Sequence, residues 1–555
     1  MANLENQQTK YSALISSIET GEIKIPQFQR KFVWSVKDSA ELIDSIIKGY
    51  PIGILIYWRT NERLRAIRNL GNIKLPEPTE GEYVNYILDG QQRLTSLFAS
   101  IKGLIITDED GKKADYSQIY IDLKATSEDP IVITEIEGKQ PDDLIKLRDL
   151  MTGGLQVLAS YPETYHEKLD SYKNEIQSYT FPVINLKNAP IDIATEVFTR
   201  LNVGGKSLTL FEIMVAKTYD SSKSFDLAEK YNELKDELKL SQYDTIPAAT
   251  VLQVVSILLE KDCTRKKILK LDRQRFIAIW DEAIDCIKSS VDFFRSYGIP
   301  VGRLLPYNAI IVPFSYFYYR HKKYPTGIMK KRLEDFFWRV SLGFRYSSGV
   351  ETKLAQDCEK IDKILKGQQP KYEWAVTINE EFLENNGWFS TARAFIKAIL
   401  CLYARHKPKK FDSNNEVIID NSWLKIASSK NYHHFFPKSY MAKNYKDWDF
   451  HYINHIANIT IVDDFLNKRV IRTKSPSEYM KTFNKHNDKL RLTMKSHLID
   501  LDKDGIWDDD YEKFYTRRIK RITRELNKFI IPQDIASGEQ LETYEDVEEE
   551  ELENE

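Results

Sequence analysis

Residues 83–101 read YVNYILDGQQRLTSLFASI. Tyr83 to Leu88 is an apolar, strand-like run, and LTSLFASI has a helical pattern, so the stretch is a strand, a tight turn at Asp89-Gly90 and a helix. Glycine at such a turn lets the backbone approach a ligand closely, and the free N–H groups of a first helical turn favour an anion. Arg93 adds a planar fork for phosphate oxygens, Asp89 a carboxylate to hold a metal or orient a water, and Gln91 and Gln92 amides to position that water. Asp89, Gly90, Gln91, Gln92 and Arg93 together suit a nucleotide phosphate. The competing reading is a capping box in which Asp89 and Gln92 merely start the helix.

Working outward, Pro26 to Trp34 reads as extended, Ser39 to Gly49 as an amphipathic helix, and Ile52 to Trp58 as a strand after Pro51. From about residue 215 to 400 helical periodicity dominates, as in ATVLQVVSILLEK, MKKRLEDFFWRVSL and TARAFIKAILCLYARH. The longest strongly apolar run, Leu304 to Tyr319, holds two prolines, Asn308 and Ser315. It is shorter than the ~20 residues a bilayer requires and reads as a buried helix or strand pair. Beyond about residue 405 the chain is loop-rich, carries six of the nine histidines between His433 and His497, and ends in a basic helix, Tyr511 to Ile530.

The 555 residues are 42% hydrophobic and 12% aromatic with a mean hydropathy of -0.46, which fits soluble globular material in several domains and excludes a largely disordered chain. The N-terminus, MANLENQQTKYSALISSIETGEIKIP, has neither the basic start nor the apolar block of a secretory signal. Cys263, Cys286, Cys358 and Cys401 are widely spaced, without a C-x-x-C, which argues against a disulfide framework or a thiolate zinc site. A reducing cytoplasm is the expected compartment. The net charge of -2 hides an asymmetry: residues 537–555 hold ten acidic and no basic residues, and residues 401–536 carry an excess of eight positive charges. That excess is the footprint of a polyanion-binding surface or a solvated charged face, and the acidic tail, read as disordered, could compete for it.

The histidine-rich region has its own pattern. NYHHFFPKSY is followed by HIANITIVDDFLN, with 24 residues from His434 to Asn458 and 9 from Asn458 to Asn467. An HNH, or ββα-metal, nuclease needs a strand histidine to activate water, an asparagine to fix that imidazole, and ligands holding one hard cation against the phosphate. Here His434 takes the role of base, Asn458 that of orienter, and His433 and Asn467 those of ligands. Neutral ligands weaken the hold on Mg²⁺ and leave Mn²⁺ or another transition ion open. The alternative for His433 and His434 is packing before Phe435-Phe436. His451 and His455, at helical spacing, read either as a separate metal site or as structural neighbours. On the last helix Arg517, Arg518, Lys520, Arg521, Arg524 and Lys528 read as phosphate contacts, with Arg517, Arg518, Arg521 and Arg524 foremost, or as a solvated face over Phe514, Ile519, Ile522 and Leu526.

Four separated motifs, IPQFQRKFVWS (25–35), GYPIG (49–53), ILDGQQRLTSL (87–97) and FTRLNVGGKSLTLFE (198–212), occur in the order seen in the N-terminal domain of GmrSD-like proteins, which this chain resembles over about residues 10–215. The resemblance extends to the C-terminal His-Ile-Phe-Pro motif, with Phe435 in place of isoleucine. These are prokaryotic defence nucleases similar to type IV, modification-dependent restriction enzymes. The resemblance implies a ParB/sulfiredoxin-like α/β nucleotide-binding domain (1–215) and an HNH nuclease domain with added helices (401–536); with the mainly helical middle region read from periodicity (216–400) and the acidic tail (537–555), the expected fold class is an α+β, multidomain chain. It further implies nucleoside triphosphate hydrolysis at Asp89–Arg93, with Arg200, Asn202 and Gly205 beside them; Gln29 and Arg30, in the early polar motif, read either as weaker members of the site or as packing and backbone-bridging residues. The expected cofactors are a divalent cation (Mg or Mn) and a nucleoside triphosphate. The expected partners are DNA, including base- or backbone-modified phage DNA, and further copies of the chain as a homo-oligomer, with no membrane. The readings weighed against a DNA endonuclease are a nucleotide-switched DNA-binding or interaction protein without cleavage, and an RNA-cleaving toxin.

Overall fold

In the computed structural model the strand read at 83–88 spans Val84–Asp89 and the helix after it Gln91–Lys102. The structure describes residues 3–26, 32, 34–64, 66, 69–70, 73–77, 81–107, 113–126, 128–201, 209–220, 222–421, 432–446, 448–462, 471 and 473–533. It is a mixed α and β fold that divides into two compact units, residues 1–227 and 228–555.

The first unit is organised by a five-stranded mixed sheet of β1 (Asn3–Lys10), β2 (Ile23–Lys24), β3 (Leu55–Thr60), β4 (Val84–Asp89) and β5 (Thr180–Lys187), in the spatial order β1-β5-β3-β4-β2. β1 runs antiparallel to β5 and β3 antiparallel to β4, whereas β5 with β3 and β2 with β4 are parallel. Alternation along the strands sends Leu55, Tyr57 and Ile87 into one apolar cluster. That cluster also takes residues from α1 (Tyr11–Glu19), α2 (Val36–Ile47), α3 (Gln91–Lys102) and α4 (Glu163–Ser178), among them Leu14, Ile43, Ile46, Leu97, Phe98 and Leu169. The helix expected from Ser39 begins earlier, at Val36, because Ser35 and Asp38 form a reciprocal capping box. α5 (Ile191–Leu201) lies against β4.

The second unit contains α6 (Ala248–Glu260), α7 (Arg273–Ser296), α8 (Ile311–Arg320), α9 (Gly327–Leu342), α10 (Val350–Leu365), α11 (Glu380–Asn386) and α12 (Ala394–Arg405). The apolar run Leu304–Tyr319 becomes the buried helix α8, packed on α6, α7 and α10. Pro313 is tolerated there because it lies in the first turn, where an N–H has no helical acceptor. The same unit holds a two-stranded antiparallel ribbon, β6 (Tyr432–His434) with β7 (Ile459–Ile461), His434 facing Ile459. Around it stand α13 (Lys438–Asn444), α14 (Phe450–Ile453) and α15 (Tyr511–Asn527). Phe514, Ile519, Ile522 and Leu526 form the buried stripe of α15. Among the described residues no helix is long and apolar enough to cross a membrane.

Candidate active site

β6 delivers two adjacent imidazoles into different surroundings. Successive strand residues leave on opposite faces. His433 is buried among Phe411, Tyr479 and Thr460, while His434 is half-buried and meets Asn454. The hydrogen bonds fix a tautomer for each ring. Asn454 Nδ2 donates to the carbonyl of Phe389 at 3.2 Å, so the amide oxygen is the atom 3.0 Å from His434 Nε2. An amide oxygen only accepts, so Nε2 carries the proton and Nδ1 of His434 keeps its lone pair. Burial, then the charge of Lys438, pushes the His434 pKa down to about 4 against a smaller opposing effect from Asn454, and the ring is neutral at physiological pH.

His433 has the opposite tautomer. The Thr460 hydroxyl donates to the His433 carbonyl at 3.2 Å and is 3.3 Å from His433 Nδ1. With its one proton spent on the carbonyl, that hydroxyl accepts from Nδ1–H, which leaves a bare lone pair on Nε2. Nε2 is buried and has no hydrogen-bond partner among the described residues. Burial, with smaller contributions from His434 and His497, pushes this pKa down to about 3. A neutral imidazole with an unsatisfied nitrogen fits the donor a divalent cation requires. Asn467, the second expected ligand, lies outside the described residues, and among the described residues no group of three His, Cys, Asp or Glu side chains is gathered to hold a metal.

Asn458 does not do what its spacing predicted. Its Oδ1 accepts the Phe436 N–H at 2.8 Å, and its Nδ2 donates to the carbonyls of Phe436 and Ile453, both at 3.0 Å. Its own carbonyl accepts from Phe435 N at 2.7 Å. Asn458 therefore fastens the chain that leaves His434, and the amide that meets the ring is Asn454's. Nothing in the local pattern marks Asn454; it becomes the orienter because the last turn of α14 brings it level with β6.

The terminal helix also differs from expectation. Arg518 is fully buried and donates to the carbonyls of Ala457 and His497 at 2.7 and 3.1 Å, with its guanidinium over Tyr403. Arg521 holds Asp504 with two bonds of 2.7 and 3.0 Å and donates to the Leu498 carbonyl. Both are supports under the ribbon rather than DNA contacts, because a guanidinium committed to buried acceptors is not presented to a phosphate. Arg517 and Arg524 are on the exposed face with Lys520 and Lys528. His451 and His455 give their Nε2 atoms to the carbonyls of Glu384 and Leu383 on α11, so they are structural neighbours.

In the first unit, α3 starts at Gly90 in the left-handed region (φ 92°) with no side-chain cap. The capping-box alternative for Asp89 and Gln92 is thereby replaced by a bare helix start. Arg93 donates to Asp89 Oδ2 and to the Ile52 carbonyl, both at 2.9 Å, joining the DGQQR and GYPIG motifs. Gly53 stands beside it at φ 90°, a backbone conformation that favours glycine, and a Cβ there would also meet Arg93 Nη1. The Gln91 side-chain oxygen is buried without a hydrogen-bond partner among the described residues, an orphan acceptor that fits a donor from a bound ligand or water. Arg200 is exposed and paired with Glu196 at 2.6 Å. Asn202, Gly205, Gln29 and Arg30 lie outside the described residues.

Residues 11–219 match the family model of the GmrSD restriction endonuclease N-terminal domain. The chain is also similar to an uncharacterized protein of Methanocaldococcus jannaschii, with 24% identity across 84% of this chain and 85% of that protein.

Proposed function

We propose that this chain is a metal-dependent DNA endonuclease of prokaryotic, type IV restriction-like defence, acting in the cytoplasm. In this reading a ParB/sulfiredoxin-like, nucleotide-hydrolysing N-terminal part controls an HNH centre at His434. The observation that carries it is the neutral His434 ring, held by Asn454 with a free Nδ1 able to take a proton; on the other face of β6, His433 keeps a free Nε2 able to bind a cation. Nδ1 of His434 removes a proton from a water, whose oxygen attacks the phosphorus in line as the bond to the 3′ oxygen breaks. Asn454 keeps Nε2 protonated throughout, so the ring has one basic site and one orientation. His433 and Asn467 would hold the cation, which when bound supplies charge stabilisation to the departing oxygen. In the N-terminal part, the bare start of α3 at Gly90 would receive the triphosphate, with Arg93 bracing the turn through Asp89 and the Ile52 carbonyl and the Gln91 oxygen accepting from a ribose hydroxyl or water.

The test is incubation of the purified protein with plain and base-modified phage DNA, with and without nucleoside triphosphate, in Mg²⁺ or Mn²⁺. The expected result is metal-dependent strand cleavage that changes with nucleotide and with base modification. Absence of nicking under every condition would favour a nucleotide-switched binding protein and remove this reading.

A further inference from the structure

Lys438 stands four residues beyond His434, at the first residue of α13, and is exposed. Its ammonium lies 5.0 Å from the ring centroid of Phe450. Phe450 opens α14, the same turn that ends at Asn454, and the Asn454 N–H donates to the Phe450 carbonyl at 2.9 Å. The ring that holds the lysine and the amide that holds His434 are thus parts of one rigid turn. Phe450 has Trp388 against it at 5.5 Å and remains 54% exposed. Lys438 has no carboxylate within ion-pair distance among the described residues, whereas Lys520 leans on Glu380 and Arg524 on Glu525. An exposed cation–π contact is weak, enough to bias the direction of an ammonium without neutralising it. The charge also reaches the neighbouring imidazole, where it disfavours the protonated ring.

We propose that Lys438, steered by the Phe450 ring, contacts the backbone phosphate of the DNA strand presented to His434. The ligand class is a nucleic-acid phosphodiester, and the lysine reads charge rather than sequence. The inference rests on the nuclease reading only for the identity of that phosphate as the one cleaved. Phe450 is a positioning residue, acting through Lys438.

The experiment measures binding of a labelled duplex oligonucleotide by the full-length protein, without divalent cation, across a salt series. Each phosphate neutralised contributes about 0.9 to the slope of log affinity against log salt, so Lys438→Ala should lower the slope by about that amount. Lys438→Arg should restore it. Phe450→Ala should weaken binding at low salt, with Phe450→Tyr retaining it, and thermal melts of all four variants should match the parent because both side chains are exposed. An unchanged slope in Lys438→Ala overturns the phosphate contact, and unchanged binding in Phe450→Ala overturns the steering. These outcomes are independent of cleavage: a parent protein that binds but never cuts would defeat the nuclease reading while the slope still decides the role of Lys438.

Discussion

Asn454 and Asn458 are both buried asparagines with satisfied amides close to His434, yet they belong to different kinds of residue. Asn454 spends its oxygen on the ring and its Nδ2 on the Phe389 carbonyl, so Asn454→Ala should lower the cleavage rate by about 10²-fold, the cost of a misplaced base, and should also cost about 1–3 kcal/mol for each buried partner it strands. Asn458 spends its amide on the Phe436 N–H and two carbonyls. Asn458→Ala strands those buried groups, at about 1–3 kcal/mol for each left unpaired, and should appear first as a lowered urea midpoint. A third expectation concerns pH. With the His434 pKa near 4, well below the ordinary 6.5, cleavage should hold its plateau as pH falls through the usual imidazole range, and Lys438→Ala should move the acid limb upward. A pH–rate profile of the two proteins decides this. The sequence spacing singled out His433 and His434 but named the wrong asparagine, because the hydrogen bond to His434 depends on where the turn at 450–454 returns, which spacing does not encode.

At the scale of elements, α15 shows what periodicity can and cannot deliver. Its apolar stripe was legible, and the stripe is buried as expected. Which arginines turn inward was not, since Arg518 and Arg521 are fixed by carbonyls of Ala457, His497 and Leu498, supplied by distant segments. Removing one partner of a buried ion pair costs about 3–5 kcal/mol, so Arg521→Ala, which deserts the fully buried Asp504, should sharply lower the urea midpoint. Arg517→Ala should leave that midpoint in place. β1 was also illegible: NLENQQTK has no apolar alternation and is exposed along nearly its whole length, and it is a strand because its backbone pairs with β5 over all eight residues. The strand–turn–helix at 83–101, in contrast, was legible throughout, because a β-prone run, a glycine and a helical run each favour the same local answer. Its turn places Gly90 at φ 92°, and Gly90→Ala should destabilise the first unit by about 1–3 kcal/mol, measured by urea unfolding.

Across the whole molecule, eight of the nine histidines fall in residues 228–555. Three of them, His433, His455 and His497, are buried with pKa values pushed down to about 3, 3 and 4, chiefly by desolvation. A depressed native pKa means that the unfolded chain binds protons first. The stability these rings contribute is therefore complete above 6.5 and is lost as pH falls toward 4 and 3. Urea unfolding of the second unit should weaken on acidification while the first unit, with His166 alone, changes less. The two-unit division also places the histidine ribbon in the same compact unit as α6 to α12, the helices expected as a middle region.

The most direct test of the central claim compares DNA cleavage by the parent protein and by His434→Ala, in Mg²⁺ or Mn²⁺, with urea midpoints measured on both. A general base contributes about 10² to 10⁴ in rate, so the variant should lose at least that much cleavage with its midpoint unchanged. Equal cleavage rates in two equally stable proteins would contradict the account.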